Sequence, residues 1–219
     1  MSTGTLNPVN QTPANDPWSM EVGGGGGGGG DYVLCPPCNG GGVIIGIFDI
    51  GTQVMPPDQS GKVKELRKLA LVFELTKKRP DGEPFILAER YTWSMNEKSN
   101  FFALVTNVTG KKYQEGERFN PLSLLGQPVM VSVTNSPSKD KTYHNIGSVA
   151  QFPEGFPQPD PVHHPVSWSV MTGEPFPSGL DYLPFVYGKS IEALAKESNE
   201  AKRRSPSDVP PSKNPDTPF

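Results

Sequence analysis

Between residues 43 and 150 the apolar positions repeat mostly with the period of β-strands, interrupted once by helical spacing. Residues 43–50 form a short β-rich run ending at Gly51, and Gly46 inside it marks a bulge or bend. Residues 54–61, with Pro56, Pro57, Asp58 and Gly61, read as a loop. A second strand spans 65–75. It sets Leu69, Leu71, Phe73 and Leu75 on one face and Lys68, Ala70, Val72 and Glu74 on the other, with Lys64 and Arg67 near its start. A basic hairpin turn, Lys77, Lys78, Arg79, Pro80, Asp81 and Gly82, leads to a third strand over 85–95.

Neither face of the third strand is purely apolar: Phe85, Leu87, Glu89, Tyr91, Trp93 and Met95 alternate with Ile86, Ala88, Arg90, Thr92 and Ser94. Ser94 and Glu97 have the spacing of a capping box. Phe101, Leu104, Val105 and Val108 follow at helical spacing, and Gly110 is placed to stop the helix. Residues 121–125 predict one short turn capped by Asn120 and ended by Gly126. Strands over 129–134 and 142–150, joined by a turn at 136–140, complete the unit. The order β-β-β-α-β-β is that of a five-stranded OB-like barrel with one capping helix, expected over 43–155.

Outside this unit the composition changes. Gly (24) and Pro (25) crowd the flanks, and residues 1–42 predict a disordered arm containing the run from Gly23 to Gly30. That run lacks the Lys-Ser/Thr of a phosphate loop. Residues 156–187 read as a Pro-rich linker. Residues 188–204 offer a short amphipathic helix, with Ile191, Leu194 and Ala195 on one stripe, and 205–219 a disordered tail.

Charge separates in the same way. Residues 41–150 carry 14 Lys and Arg against 11 Asp and Glu, a net +3, while the flanks carry 6 against 12, a net −6. A mildly basic fold between acidic arms is compatible with a groove that tracks phosphates. No apolar run is long enough to span a bilayer and no signal-peptide pattern opens the chain, so a soluble, cytoplasmic protein is expected. Cys35-Pro36-Pro37-Cys38 would need two further ligands for a zinc site, or a βαβ context for redox work. No cofactor or metal is expected. Asp49 and Glu89 could pair as carboxylates, but no nucleophile or metal-ligand spacing joins them, which argues against an enzyme.

Several blocks, Phe48-Asp49-Ile50-Gly51-Thr52-Gln53, Leu71-Val72-Phe73-Glu74-Leu75, Tyr91-Thr92 followed by Asn96-Glu97-Lys98, Leu124-Leu125-Gly126-Gln127-Pro128, and Lys141-Thr142-Tyr143, stand in an order that resembles a family of phage and prophage proteins. Those proteins are described as single-stranded DNA-binding and are encoded among replication and recombination genes. The resemblance covers residues 43–155, with an echo around 183–194, and implies that function here. Asp216-Thr217-Pro218-Phe219 resembles the acidic tip of bacterial single-stranded DNA-binding proteins, which implies partner binding to replication or recombination proteins through Pro218 and Phe219.

A sequence-tolerant binder places aromatic faces beside cations in one groove, and strands two and three of an OB fold usually provide it. The expected nucleic-acid-binding residues are Lys64, Arg67, Lys68, Lys77, Lys78, Arg90, Tyr91, Trp93, Lys141 and Tyr143. Tyr91 and Trp93 are also in phase with the core residue Leu87, and Lys77, Lys78 and Arg79 also fit a solvated hairpin tip. A protein-interaction or structural module without nucleic-acid binding is the alternative.

Overall fold

The structure is a computed structural model that describes residues 33–138 and 141–204. Most of the expected N-terminal arm, the tail with Pro218 and Phe219, and the Lys139-Asp140 turn lie outside the described residues. The organising element is β1 (Cys38–Val54), 17 residues long. It is followed by β2 (Glu65–Lys78), β3 (Pro84–Thr92), α1 (Asn100–Thr109), a 3-10 turn (Pro121–Leu124), β4 (Pro128–Ser138) and β5 (Lys141–Gln151). These five strands form an antiparallel sheet in the order β3-β2-β1-β4-β5. A sixth, β6 (Val166–Ser169), joins β1 in parallel, with Gly46 opposite Val166 and Asp49 opposite Ser169.

β1 can pair with both β4 and β6 because it bends. Its residues 38–43 pair with β4 and its residues 46–49 with β6. Register shifts at Ile44/Gly46 and Asp49/Thr52 mark where the strand kinks. Gly46 sits at the first of these, and a Cβ there would come within 2.9 Å of Val72.

The expected closed barrel is corrected. Among the described residues β3 pairs only with β2 and β5 only with β4, so the sheet stays open at that seam. Helix α1 packs against both β3 and β5 there, and the Tyr91 and Phe101 rings meet at 6.2 Å. The order of elements, with the helix between strands three and four, is as expected.

The helix starts later than the Ser94/Glu97 spacing suggested. Ser99 is the N-cap, accepting from the Phe102 N–H at 3.0 Å, while Ser94 Oγ accepts from the Asn96 N–H. The apolar stripe begins at Phe101, so a cap at Ser94 would add a turn with nothing to bury. Asn120 caps the 3-10 turn through the Leu122 N–H, as expected. The last hairpin is tighter than expected, because the ladder continues to Ser138 opposite Lys141.

The largest departure concerns the stretch expected as a linker. Residues 156–187 contribute β6, and the described residues from Leu34 onward belong to one compact unit. Val43, Ile45, Phe48, Ile50, Ala70 and Val72 form one apolar cluster with Val186, Ile191, Leu194 and Ala195, and Val166, Trp168 and Phe176 pack against it. Phe48 stacks on Phe176 at 5.6 Å. The expected helix over 188–204 is two short ones, α2 (Ile191–Lys196) and α3 (Asn199–Arg204). Burying Val186, Ile191 and Leu194 contributes roughly 5–9 kcal/mol, comparable to the net stability of a whole domain. A cover of that strength belongs to the fold and is not a loose lid.

Polar bonds lock the cover in register. Thr52 donates from its N–H and its hydroxyl to Glu200, each at 2.7 Å, and Gln53 Nε2 donates to the Ile50 and Leu194 carbonyls. The Glu74 carboxylate accepts from the Val162 and His163 N–H groups, with His163 Nδ1 2.7 Å away. Gly51, at φ 71°, leaves no room for a side chain: a Cβ would lie 2.6 Å from Glu200 Oε2 and 2.8 Å from Val170 Cγ1. Gly51→Ala is therefore expected to destabilise by about 2 kcal/mol or more. Denaturant unfolding checks this, and a change within about 0.5 kcal/mol would show that the cover does not press on this turn.

Candidate nucleic-acid interface

The expected groove across β2 and β3 is not an open surface. Its β2 residues, Lys68, Ala70, Val72 and Glu74, are all buried, and the centre of the face lies beneath the C-terminal cover. Tyr91 is sealed inside against Phe101, and burial, then the neighbouring Glu89, pushes its hydroxyl up.

The basic residues are also dispersed. Arg67 and Lys77 lie at opposite ends of β2, roughly 30 Å apart along an extended strand. Lys78 is exposed beside Lys77 at the hairpin end. Lys64 pairs with Asp58 at 3.1 Å, and Arg79 with Asp81 at 2.8 Å. Lys141 opens β5, and Tyr143 stands exposed on the same strand, away from β2 and β3 in the sheet order. Cys35 is buried and Cys38 opens β1. Among the described residues no cluster of His, Cys, Asp and Glu could hold a metal, and no helix is long and apolar enough to cross a membrane.

What the fold does bring together lies at the end of β3. Lys68 stands opposite Thr92 and Ala70 opposite Arg90 in the β2–β3 ladder. Lys68 is 7% exposed and donates from Nζ to Thr92 Oγ1 at 2.7 Å. Burial, and then the nearby Arg90, lowers its pKa. Among the described residues neither Lys68 nor Arg90 makes an ion pair with a carboxylate, so two cations stand close together there without one. The Arg90 guanidinium lies 4.6 Å from the centroid of the Tyr187 ring.

One residue further along, Trp93 is 37% exposed, and the Arg67 guanidinium stacks over its indole at 3.9 Å. Arg67 is held from below by the buried carboxylate of Asp49, through Nε at 3.2 Å and Nη2 at 2.6 Å. Asp49 also accepts from the Gly51 N–H and from Ser169 Oγ at 2.7 Å. Arg67 is thus a cation fixed in place and already paired, with one face on a half-open ring. Arg90 and Trp93 point to opposite sides of the pleat. A ligand touching both would run along the β3 edge, over roughly 10 Å, instead of lying on a sheet face.

Tyr187 was not anticipated among the site residues, since it belongs to the stretch read as linker. No family model matches the chain, and no curated protein matches its sequence.

The lowered pKa of Lys68 gives a signed expectation. A cation destabilised in the folded state costs stability wherever it is charged, and the cost fades as pH rises toward the ordinary lysine value. Lys68→Met should raise the melting temperature at pH 7, with the advantage shrinking in alkaline buffer. A melting temperature that falls at pH 7 would mean that the Thr92 bond outweighs the burial of the charge.

Proposed function

We propose that the protein binds single-stranded DNA without strong sequence preference, in replication or recombination, through the edge of β3. The observation that supports this is the close pair Lys68 and Arg90, neither ion-paired among the described residues, with the half-exposed, guanidinium-stacked Trp93 on the other side of the same strand. Like charges in close proximity repel, and an anion threading past them relieves that repulsion. Bases offer flat faces to an exposed indole, and stacking contributes about 1–3 kcal/mol per base. On this reading the fold is an OB-like sheet left open between its third and fifth strands, as a partly open barrel allows. Its usual binding face is taken by the chain's own C-terminal segment, which moves contact to the edge. The short resemblance blocks to phage single-stranded DNA-binding proteins are in keeping with it.

The second reading is a protein-interaction or structural module. It draws on the same covered face, and on the surface lysines Lys64, Lys111, Lys189 and Lys196, each paired with a carboxylate, which leaves a weak positive field.

Fluorescence titration with oligo-dT across a salt series distinguishes the two. DNA binding predicts a log–log slope of about −0.7 per phosphate contacted, so two to three contacts give about −1.4 to −2.1. Arg90→Gln should flatten that slope. Trp93→Ala should weaken binding about 5- to 150-fold with little change in slope. Absence of binding by the wild-type chain at low salt would leave the interaction module.

A further inference from the structure

The turn at Tyr187-Gly188 is costly for what it does structurally. Val186 and Lys189 exchange both main-chain hydrogen bonds, at 2.8 and 3.2 Å, around a two-residue loop. Tyr187 has φ 51° and Gly188 φ 78°, the geometry of a primed hairpin turn. Such a turn favours Asn, Asp or Gly at its first central position, and Tyr187 is the one described residue other than glycine with positive φ. A left-handed backbone is unfavourable for an ordinary side chain, whose Cβ then crowds the following carbonyl oxygen. The ring regains little by burial, being 70% exposed, and Phe185 beside it is 51% exposed.

The turn is nevertheless held firmly. Val186 between the two rings is buried in the apolar cluster that joins the cover to β1 and β2. The Tyr187 hydroxyl donates to Glu89 Oε1 at 3.0 Å, and Arg90 lies against the ring. The result is a solvent-facing aromatic ring whose position is fixed against β3 and whose neighbour is a guanidinium without an ion pair among the described residues. Strain kept at an exposed ring is characteristic of a residue selected for contact with a ligand.

We infer that the Tyr187-Gly188 turn is a base-stacking platform, so that the C-terminal segment supplies part of the interface and an unpaired base stacks on Tyr187 while Arg90 meets the adjoining phosphate. This rests on the proposed single-stranded DNA binding and adds a second ring, on the Arg90 side of the edge.

The test is oligo-dT titration of the full chain at low salt, with melting temperatures measured in parallel. Tyr187→Asn suits the backbone, so its melting temperature should hold or rise while affinity falls about 5- to 150-fold. Tyr187→Phe keeps the ring without the Glu89 bond and should bind within about twofold of wild type. An oligonucleotide carrying 5-iododeoxyuridine should photocrosslink to the peptide containing Tyr187 in the wild-type chain, a readout independent of how any variant folds. Wild-type affinity in Tyr187→Asn, or no crosslink at that peptide, overturns the platform while a weakened Trp93→Ala leaves DNA binding intact. Failure of the wild-type chain to bind overturns both.

Discussion

Packing of residues 160–204 onto the outer face of β1 and β2 is the constraint from which the rest of the structure follows. It converts a sheet that could have been solvated on one side into one buried on both. That is why β1 is buried continuously from Gly42 to Gly51. The apolar contact supplies the free energy, and buried polar groups set the alignment. Asp49, Thr52, Gln53 and Glu74 each bond to the C-terminal segment, and Gly51 makes the close approach possible. Asp49 serves two ends at once: it holds β6 through Ser169 and fixes Arg67 beneath the Trp93 ring. A carboxylate so enclosed needs those partners, since one left buried without them would be strongly destabilising.

Covering that face decides where a ligand can go. Phosphates and bases have no access to Ala70 or Val72, and the opposite side of the same strands carries the buried Leu69, Leu71 and Phe73. The edge of β3 remains, where Arg90 and Tyr187, from segments nearly a hundred residues apart, meet on one side of the pleat and Trp93 stands on the other. Function on this reading follows from exclusion: the chain blocks the broad face and leaves a narrow margin furnished with rings and cations.

Much of this was legible in the sequence, and what was missed has physical causes. The alternation in 65–75, the stripe Phe101, Leu104, Val105 and Val108, the Asn120 cap and the stops at Gly110 and Gly126 all reappear. These are local effects of strand period and capping. The cover was missed because proline content reads as linker, although Val166, Trp168 and Phe176 are large apolar residues that a solvated linker does not need. A second clue was the run at 43–50, apolar at every position but Gly46 and Asp49, the pattern of a strand buried on both faces and not of one that alternates. Of the expected binding residues, Arg90 and Trp93 lie near the end of β3 on opposite sides of the pleat, whereas Tyr91 went to the core, in phase with Leu87. Lys77 and Lys78 fell at the far end of β2, because a strand that carries cations at both ends separates them by its own length. Tyr187 was illegible, since its significance comes from a backbone angle and a distant neighbour.

Hydrogen–deuterium exchange on the full chain tests the central claim most directly. If residues 160–204 are part of the fold, amides of β6 and α2 should exchange through the same cooperative opening as those of β1 and β2, with comparable protection. Exchange of β6 and α2 within seconds, while β1 and β2 stay protected for hours, would show that the outer face is open in solution and would contradict it.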